Sequence, residues 1–288
     1  MDRKVLDALE YGKITAMLES YARCCASRER ARALEPLTDI EGVRSRLELT
    51  AEAETMLNRL GSSPVDDFPD MREQLFRLRD GSMLSLAELL AVCSCLRAMR
   101  IAKASLSRED SQPRLRELAV LLPSYRFIEE ELTRCILNED ELFDGASPAL
   151  SRIRRALKTA NDKAREKLNS MLHSQTYQKY LQEPIVTMRN GRYVLPVKQE
   201  YRKQVPGLIH DQSGSGQTLF IEPAAVVELG NQVRKLMAEE RDEVERILTE
   251  LTGMIVPHAR DIGSGLELLG SIDLPFAMAA LAQEMNAL

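Results

Sequence analysis

The chain has 288 residues and a formal net charge of −5, with 44% hydrophobic and 29% charged residues. This balance excludes an intrinsically disordered chain, and no uncharged apolar run reaches the roughly 20 residues of a membrane span. Tryptophan is absent and aromatic residues make up only 5%, which is too few for a typical β-sandwich or barrel. The composition therefore predicts a mainly helical protein without a membrane partner.

The five cysteines have neither the spacing of a zinc site nor that of a small disulfide framework. Cys24 and Cys25 are adjacent, Cys93 and Cys95 are two apart, and Cys135 stands alone. This pattern is typical of reduced, mostly buried thiols in a cytoplasmic protein.

Apolar residues at helical spacing fill about the first 140 residues and predict a series of amphipathic helices. Val5, Leu9 and Leu18 mark an opening helix or a pair of helices. Thr38-Asp39 can cap a second one, which Gly61 ends. The apolar stripe predicted to join the core from this helix is Ile40, Val43, Leu47, Leu57 and Leu60. The stripe of a third helix, after Asp80-Gly81-Ser82, is Leu86, Leu89, Leu90, Cys93 and Leu96.

A heptad pattern begins after Ser147-Pro148 and predicts one long helix that packs along another. Its apolar positions are Leu150, Ile153, Leu157, Ala160, Ala164, Leu168 and Met171. The partner is predicted to follow Glu222-Pro223, and its apolar positions are Val233, Met237, Val244, Ile247, Leu251 and Met254. Two long helices on either side of one insertion indicate an antiparallel helical stalk.

The insertion between these helices has the pattern of an antiparallel sheet. Residues 185–189 and 192–197 are joined by Asn190-Gly191, the strongest short signal for a type I′ hairpin turn. A second pair of strands is predicted at 205–211 and 217–221, with 212–216 as the loop between them. We therefore expect a small sheet carried by the helical stalk.

Positive charge is concentrated in the same region. Between Ser151 and Lys203 thirteen basic residues face four acidic ones, a local net charge of +9 in a chain of −5. A block of this sign is typical of a surface that contacts phosphates. A solvated helix face would have the same composition, so charge alone leaves both interpretations open.

Signatures of catalysis are lacking in the sequence. It contains no G-x-x-x-x-G-K-[ST] loop and no H-E-x-x-H pair, and His173, His210 and His258 are scattered. His210, Asp211, Ser213 and Ser215 are crowded at one strand end, where a triad cannot easily converge. We expect turn chemistry from these residues, and predict no catalytic, cofactor-binding or metal site.

The segments 189–198 and 207–223 closely resemble a signature of bacterial MutS-family proteins. The branch is the second type, associated with suppression of recombination and rescue of collided ribosomes. Segments 9–14, 49–53 and 144–150 are similar to the same family. The resemblance thus extends over essentially the whole chain.

This resemblance implies a helical lever, or core, domain over 1–145 and 246–288. A clamp over 146–245 would be inserted in it, made of long antiparallel helices with a β tip at about 184–222. Family members are homodimers that close around nucleic acid, driven by an ATPase domain that uses ATP and Mg, and a small Smr-type nuclease domain usually follows. Because neither domain is found here, the chain is expected to be an N-terminal fragment.

We therefore predict a lever and clamp that grip DNA, or ribosomal or transfer RNA, through phosphate contacts that read no bases. The alternative is a coiled-coil structural or dimerisation module that contacts protein and whose basic residues are merely solvated. The predicted nucleic-acid-binding residues are Lys163, Arg165, Lys167, Arg189, Arg192, Lys198, Arg202 and Lys203.

Overall fold

The structure, a computed structural model, describes residues 3–108 and 112–287. Residues 1, 2 and 288 of the predicted lever, and 109–111 within it, lie outside the described residues. The chain divides into two compact units: unit 1 is Met1–Phe143 with Leu248–Leu288, and unit 2 is Asp144–Ile247. Helices dominate and the strands form one small antiparallel sheet, which confirms the predicted mainly α class.

The helices of unit 1 follow each other along the chain with short connections. They are α1 (Arg3–Ala8), α2 (Tyr11–Tyr21), α3 (Cys25–Arg32), α4 (Ile40–Leu60), α5 (Arg72–Arg77), α6 (Leu86–Leu106), α7 (Pro113–Val120), α8 (Arg126–Cys135) and, after unit 2, α12 (Ala259–Met285). The opening helix is thus a pair, one of the two predicted possibilities.

Capping residues account for where the two longest early helices begin and end. The Asp39 carboxylate accepts a hydrogen bond from the Gly42 amide at 2.7 Å at the start of α4, and Gly61 ends this helix with φ 77°. Ser85 and Glu88 form a capping box at the start of α6. Each cap satisfies amides that the first turn leaves without partners.

The core of unit 1 forms around α12, which packs on α2, α3 and α4. Met56, Leu89, Met99 and Phe276 are among its fully buried side chains. All five cysteines are free thiols; four are buried and Cys25 is half-buried, which confirms the predicted burial.

The predicted apolar stripe of α4 is wrong as a core face. Ile40 and Leu47 are 74% and 65% exposed, and Val43 is also exposed. The side chains that α4 buries are Ala53 and Met56, roughly on the opposite side of the helix from Ile40 and Leu47. Periodicity identifies an apolar face of a helix. Which face is buried depends on the neighbouring helix that packs on it. Leu9 at the end of α1 is exposed in the same way.

One helical stretch among the described residues, Ala224–Met285, contains an 18-residue window apolar enough to cross a membrane. The sequence predicted no membrane span, since it has no uncharged apolar run of this length. Of the window, 61% is buried inside the protein, as in an ordinary core helix.

Unit 2 contains two long helices, a short one and a sheet. They are α9 (Pro148–Leu172), α10 (Gln175–Gln178), β1 (Thr187–Arg189), β2 (Arg192–Lys198), β3 (Gly207–Gln212), β4 (Thr218–Pro223) and α11 (Ala224–Ile255), which belongs to unit 2 up to Ile247. Ser147 Oγ donates to Glu243 at 2.6 Å and Arg154 Nε donates to Glu240 at 2.7 Å. Because the contact moves backward along α11 as it advances along α9, the two helices are antiparallel.

The heptad positions of α9 are buried except for the half-buried Leu157. On α11, Val233 and Ile247 are buried, but Met237 is 55% exposed. The predicted apolar face of α11 is therefore wrong at Met237. Polar contacts, such as that of Arg154 with Glu240, join the helices nearby instead.

The sheet has the strand order β1-β2-β4-β3 with antiparallel neighbours. Asn190 and Gly191 have φ 51° and 71°, which confirms the type I′ turn. The core of this region combines the end of α9 with the sheet. Its buried members are Leu168, Met171, Leu172, Leu181, Leu195, Val197, Val205, Leu219, Ile221 and Val226.

Acid is expected to weaken unit 2 through Glu243. The nearby Arg246 guanidinium, and then the Ser147 hydroxyl, lower the pKa of this carboxyl to about 2. A lowered folded-state pKa gives stability that is complete above the ordinary value of 4.5 and is lost as the pH falls toward 2. Urea unfolding at pH 7 and pH 3 measures this loss, which should be smaller in Glu243→Gln.

Ser147→Ala removes the hydrogen bond to Glu243 and also the cap on the Leu150 amide. It should lower the free energy of unfolding by about 1 kcal/mol at pH 7, which the same urea unfolding measures.

Candidate nucleic-acid interface

The structure separates the eight predicted binding residues into three groups. The first group lies on α9, where the side chains of Lys163, Arg165 and Lys167 are exposed. Lys163 and Lys167 are one turn apart on one side of the helix, whereas Arg165 points elsewhere. The Arg165 guanidinium lies 5.9 Å from the Tyr193 ring of the sheet.

The second group, Arg189 and Arg192, flanks the Asn190-Gly191 turn. Arg189 lies over the Phe220 ring at 4.3 Å, and its Nε is 3.2 Å from Asp211. A carboxylate therefore already neutralises part of its charge. The Arg234 guanidinium of α11 donates to the Asn190 carbonyl at 2.7 Å and adds a cation that the sequence analysis did not select.

Arg192 is committed to a buried contact. Its side chain is 11% exposed, and NH1 lies 3.2 Å from Oε1 of Glu222, which is 1% exposed. Nη2 of Arg192 donates to Asn231 Oδ1 at 2.7 Å. The other oxygen of Glu222 lies 2.7 Å from Nε2 of His210. Arg192 thus holds the sheet and α11 together, and little of it faces solvent.

The third group, which we call the far-end set, is Lys198, Arg202 and Lys203 at the other end of β2. Seven residues of strand place Lys198 about 20 Å from Arg192. Lys198 Nζ approaches the Lys179 carbonyl at 3.4 Å and lies 6.0 Å from the Tyr201 ring. Arg202 is half-exposed and Lys203 exposed, and neither side chain has an ion-pair partner in the described part of the chain.

Three tyrosine rings lie next to one another near Lys198 of the far-end set. The sequence analysis did not select these tyrosines. The rings of Tyr180 and Tyr201 are 5.1 Å apart, and Tyr177 meets Tyr180 edge-on at 6.2 Å. A neighbouring cleft of about 570 Å³ is lined by Gln182, Lys198, Gln199, Glu200 and Gln217. Only the fold brings residues 177–182 beside 198–201, so no local sequence signal could have identified this group.

The loop after β3 has the turn chemistry that the sequence predicted. Ser213 Oγ accepts a hydrogen bond from the Thr218 amide at 3.0 Å and lies 3.4 Å from Ser215 Oγ. His210 pairs with Glu222 rather than with either serine. The geometry therefore supports a structural role for these residues.

The far-end set has the chemistry to hold a phosphate backbone. In the part of the chain that the structure describes, none of its cations has an ion-pair partner, so they are available to phosphates. The adjacent Tyr201 ring is partly buried against the core. The three groups do not form one continuous groove, since a strand length separates the second from the third. In proteins that bind nucleic acids, contacts to phosphates position the ligand without reading its sequence.

Comparison with known proteins places the chain among bacterial relatives. No family model matches it. It is similar to proteins named endonuclease MutS2 from Pelotomaculum thermopropionicum (43% identical over 288 residues), Alkaliphilus oremlandii (42% over 290) and Acetivibrio thermocellus (42% over 290). The alignments cover 99 to 100% of this chain and 37% of each relative, so the chain spans about 37% of the length of these relatives.

Proposed function

Because this chain belongs to the MutS2-type proteins of the MutS family, we propose that unit 2 is a clamp that grips nucleic acid by its phosphates. Unit 1 would be the helical lever that carries it. The observation that carries the proposal is the far-end set: Lys198 lies 6.0 Å from the Tyr201 ring, and none of its three side chains has an ion-pair partner among the described residues.

The grip would depend on the shape of the nucleic acid and not on its sequence, since phosphates are the same at every base pair. Branched or duplex DNA, and ribosomal or transfer RNA, all present them. The corresponding processes are suppression of recombination, DNA repair and the rescue of stalled ribosomes. In each of them the protein would work in the cytoplasm.

Two properties of the longer protein are proposed: nuclease activity, from its relatives' name, endonuclease MutS2, and an ATPase homodimer, from the family resemblance of the sequence. A homodimer whose ATPase domains use ATP and Mg would move the levers, and a nuclease domain would cut the gripped strand. The sequence of this chain contains no G-x-x-x-x-G-K-[ST] phosphate-binding loop. Its own part would be mechanical: to bind and orient the nucleic acid.

Reversing two charges of the far-end set, with Arg202→Glu and Lys203→Glu, is expected to weaken nucleic-acid binding by about tenfold or more. Loss of two phosphate contacts should also reduce the slope of log K against log salt by about 2. Fluorescence anisotropy with branched DNA, duplex DNA and structured RNA across a salt series measures both quantities. The ligand bound most tightly by the unaltered chain would identify the class of substrate.

The matched control is Lys235→Glu with Arg241→Glu on α11, which reverses two charges on side chains that are 79% and 78% exposed. This pair should lower affinity only through net charge, and so by less than the far-end pair. Equal losses would contradict a localised grip. Absent binding by the folded chain would favour the alternative module that contacts protein.

A further inference from the structure

A cleft in unit 1 gathers four arginine side chains. Helices α6 and α8 pack directly against each other, and the cleft between them has a volume of about 510 Å³. α6 contributes Arg97 and Arg100, one turn apart, and α8 contributes Arg126 and Arg134. The cleft is therefore built entirely within unit 1, apart from the proposed clamp.

Two of the guanidinium groups donate hydrogen bonds from Nε to glutamates of α8. Arg100 Nε donates to both oxygens of Glu129 at 3.1 and 3.0 Å, and the Glu129 side chain is only 7% exposed. Arg126 Nε donates to Glu130 at 2.7 Å. Both contacts use Nε, so the terminal N–H groups of Arg100 and Arg126 stay available to a ligand. The buried Glu129 orients the Arg100 guanidinium before a ligand arrives, which lowers the entropic cost of binding, whereas the Arg126–Glu130 pair lies at the surface.

The cleft also has an excess of positive charge. Arg134 Nε donates to Glu131 at 2.9 Å, whereas the exposed Arg97 side chain has no hydrogen-bond or ion-pair partner within the described residues. Four arginines against Glu129, Glu130 and Glu131 leave a net charge of +1. Guanidinium groups that converge repel each other, and a bound anion would relieve this repulsion.

We propose that this cleft is a binding site for a phosphate group. The planar fork of a guanidinium matches two phosphate oxygens at once, and charge-assisted hydrogen bonds of this kind are the strongest that side chains make. Arg97 supplies the free cation, Arg100 supplies an oriented donor, and Arg126 adds an exposed one. The phosphate group would come either from a free pyrophosphate-type compound or from the end of a nucleic-acid strand.

Calorimetric titration of the 288-residue chain with pyrophosphate tests the site. Arg97→Gln with Arg126→Gln should weaken pyrophosphate binding by about tenfold or more, since two charged donors to its oxygens are lost. Both side chains lie at the surface, and that of Arg126 is 77% exposed, so the thermal midpoint should not change. A second pair of titrations compares a short oligonucleotide with and without a 5′-phosphate. Preference for the phosphorylated strand identifies a strand end as the ligand, and equal affinity identifies the free compound.

Two control variants separate this site from other cations. Arg44→Gln removes an exposed arginine of α4 in the same unit and should leave pyrophosphate binding unchanged. Arg202→Glu with Lys203→Glu should also leave it unchanged, so failure of the clamp proposal and failure of this one are distinguishable. The proposal is overturned if the unaltered chain does not bind pyrophosphate at millimolar concentration, or if the glutamine pair binds it as well as the unaltered chain does.

Discussion

Replacing Asp273 by alanine is expected to lower the free energy of unfolding by about 2–5 kcal/mol. Asp273 is fully buried on α12 and connects this helix to the loop between α2 and α3. One carboxylate oxygen accepts the Arg23 amide at 2.7 Å, the Cys24 amide at 3.1 Å and the Ser27 hydroxyl. Alanine would leave two backbone amides without a partner, away from water, and chemical denaturation measures the loss.

Asparagine is the informative control at this position. The three donors all reach Oδ2, whereas Oδ1 has no hydrogen-bond partner. An asparagine oxygen can take the three donors, and its NH₂ group can occupy the place of the unpaired oxygen. Asp273→Asn should therefore cost much less than Asp273→Ala. Equal losses from the two variants would show that the donors contribute little.

The stability difference between the unaltered chain and Asp273→Asn should depend on pH in one direction. Burial raises the pKa of Asp273 above its ordinary 3.8, against the lowering effect of Ser27 and the two amides. A raised folded-state pKa gives stability that is present at low pH and lost as the pH rises through it. The unaltered chain should therefore gain stability relative to Asp273→Asn as the pH is lowered, which the same denaturation series at several pH values measures.

Features governed by local rules could be predicted from the sequence. The Asn190-Gly191 turn requires positive φ at both positions, and its flanking residues alternate as strands do. The heptad positions of α9 are buried as its periodicity predicts, but Leu168 and Met171 pack in the core that the end of α9 shares with the sheet. The stripe of α4 failed because Ile40 and Leu47 have helical spacing, although the neighbour that buries this helix packs on Ala53 and Met56.

The candidate sites depend on contacts that are distant in sequence, and for this reason prediction was incomplete. Charge counting selected Arg192 and Lys203 alike, yet only the fold shows that Glu222 buries Arg192 and that Lys203 is exposed. The arginine cleft remained hidden because Arg97 and Arg126 belong to helices separated by a third one in the sequence. Single-residue identity gives the sign of a charge, and packing decides whether a ligand can reach it.

Replacing Glu222 by alanine is expected to destabilise unit 2 by about 3–5 kcal/mol, because Arg192 would keep a buried charge without its counter-ion. The Glu222 side chain is 1% exposed and meets Arg192 at 3.2 Å and His210 at 2.7 Å. Gly230 of α11 leaves room for this contact, since an added Cβ would lie 2.7 Å from NH1 of Arg192. Urea unfolding, followed by circular dichroism, measures the loss.

Replacing both partners should cost less than the sum of the single changes. In Arg192→Leu with Glu222→Leu neither charge remains buried alone, and apolar side chains of similar volume can fill the space. The double-mutant cycle should therefore show favourable coupling, while strictly additive losses would mean that the pair is not a unit.

Such coupling would also decide how binding experiments are interpreted. Arg192→Glu would abolish binding by unfolding the sheet, whereas Arg202→Glu, at a half-exposed position without an ion-pair partner among the described residues, changes the charge that meets a phosphate and leaves the fold intact.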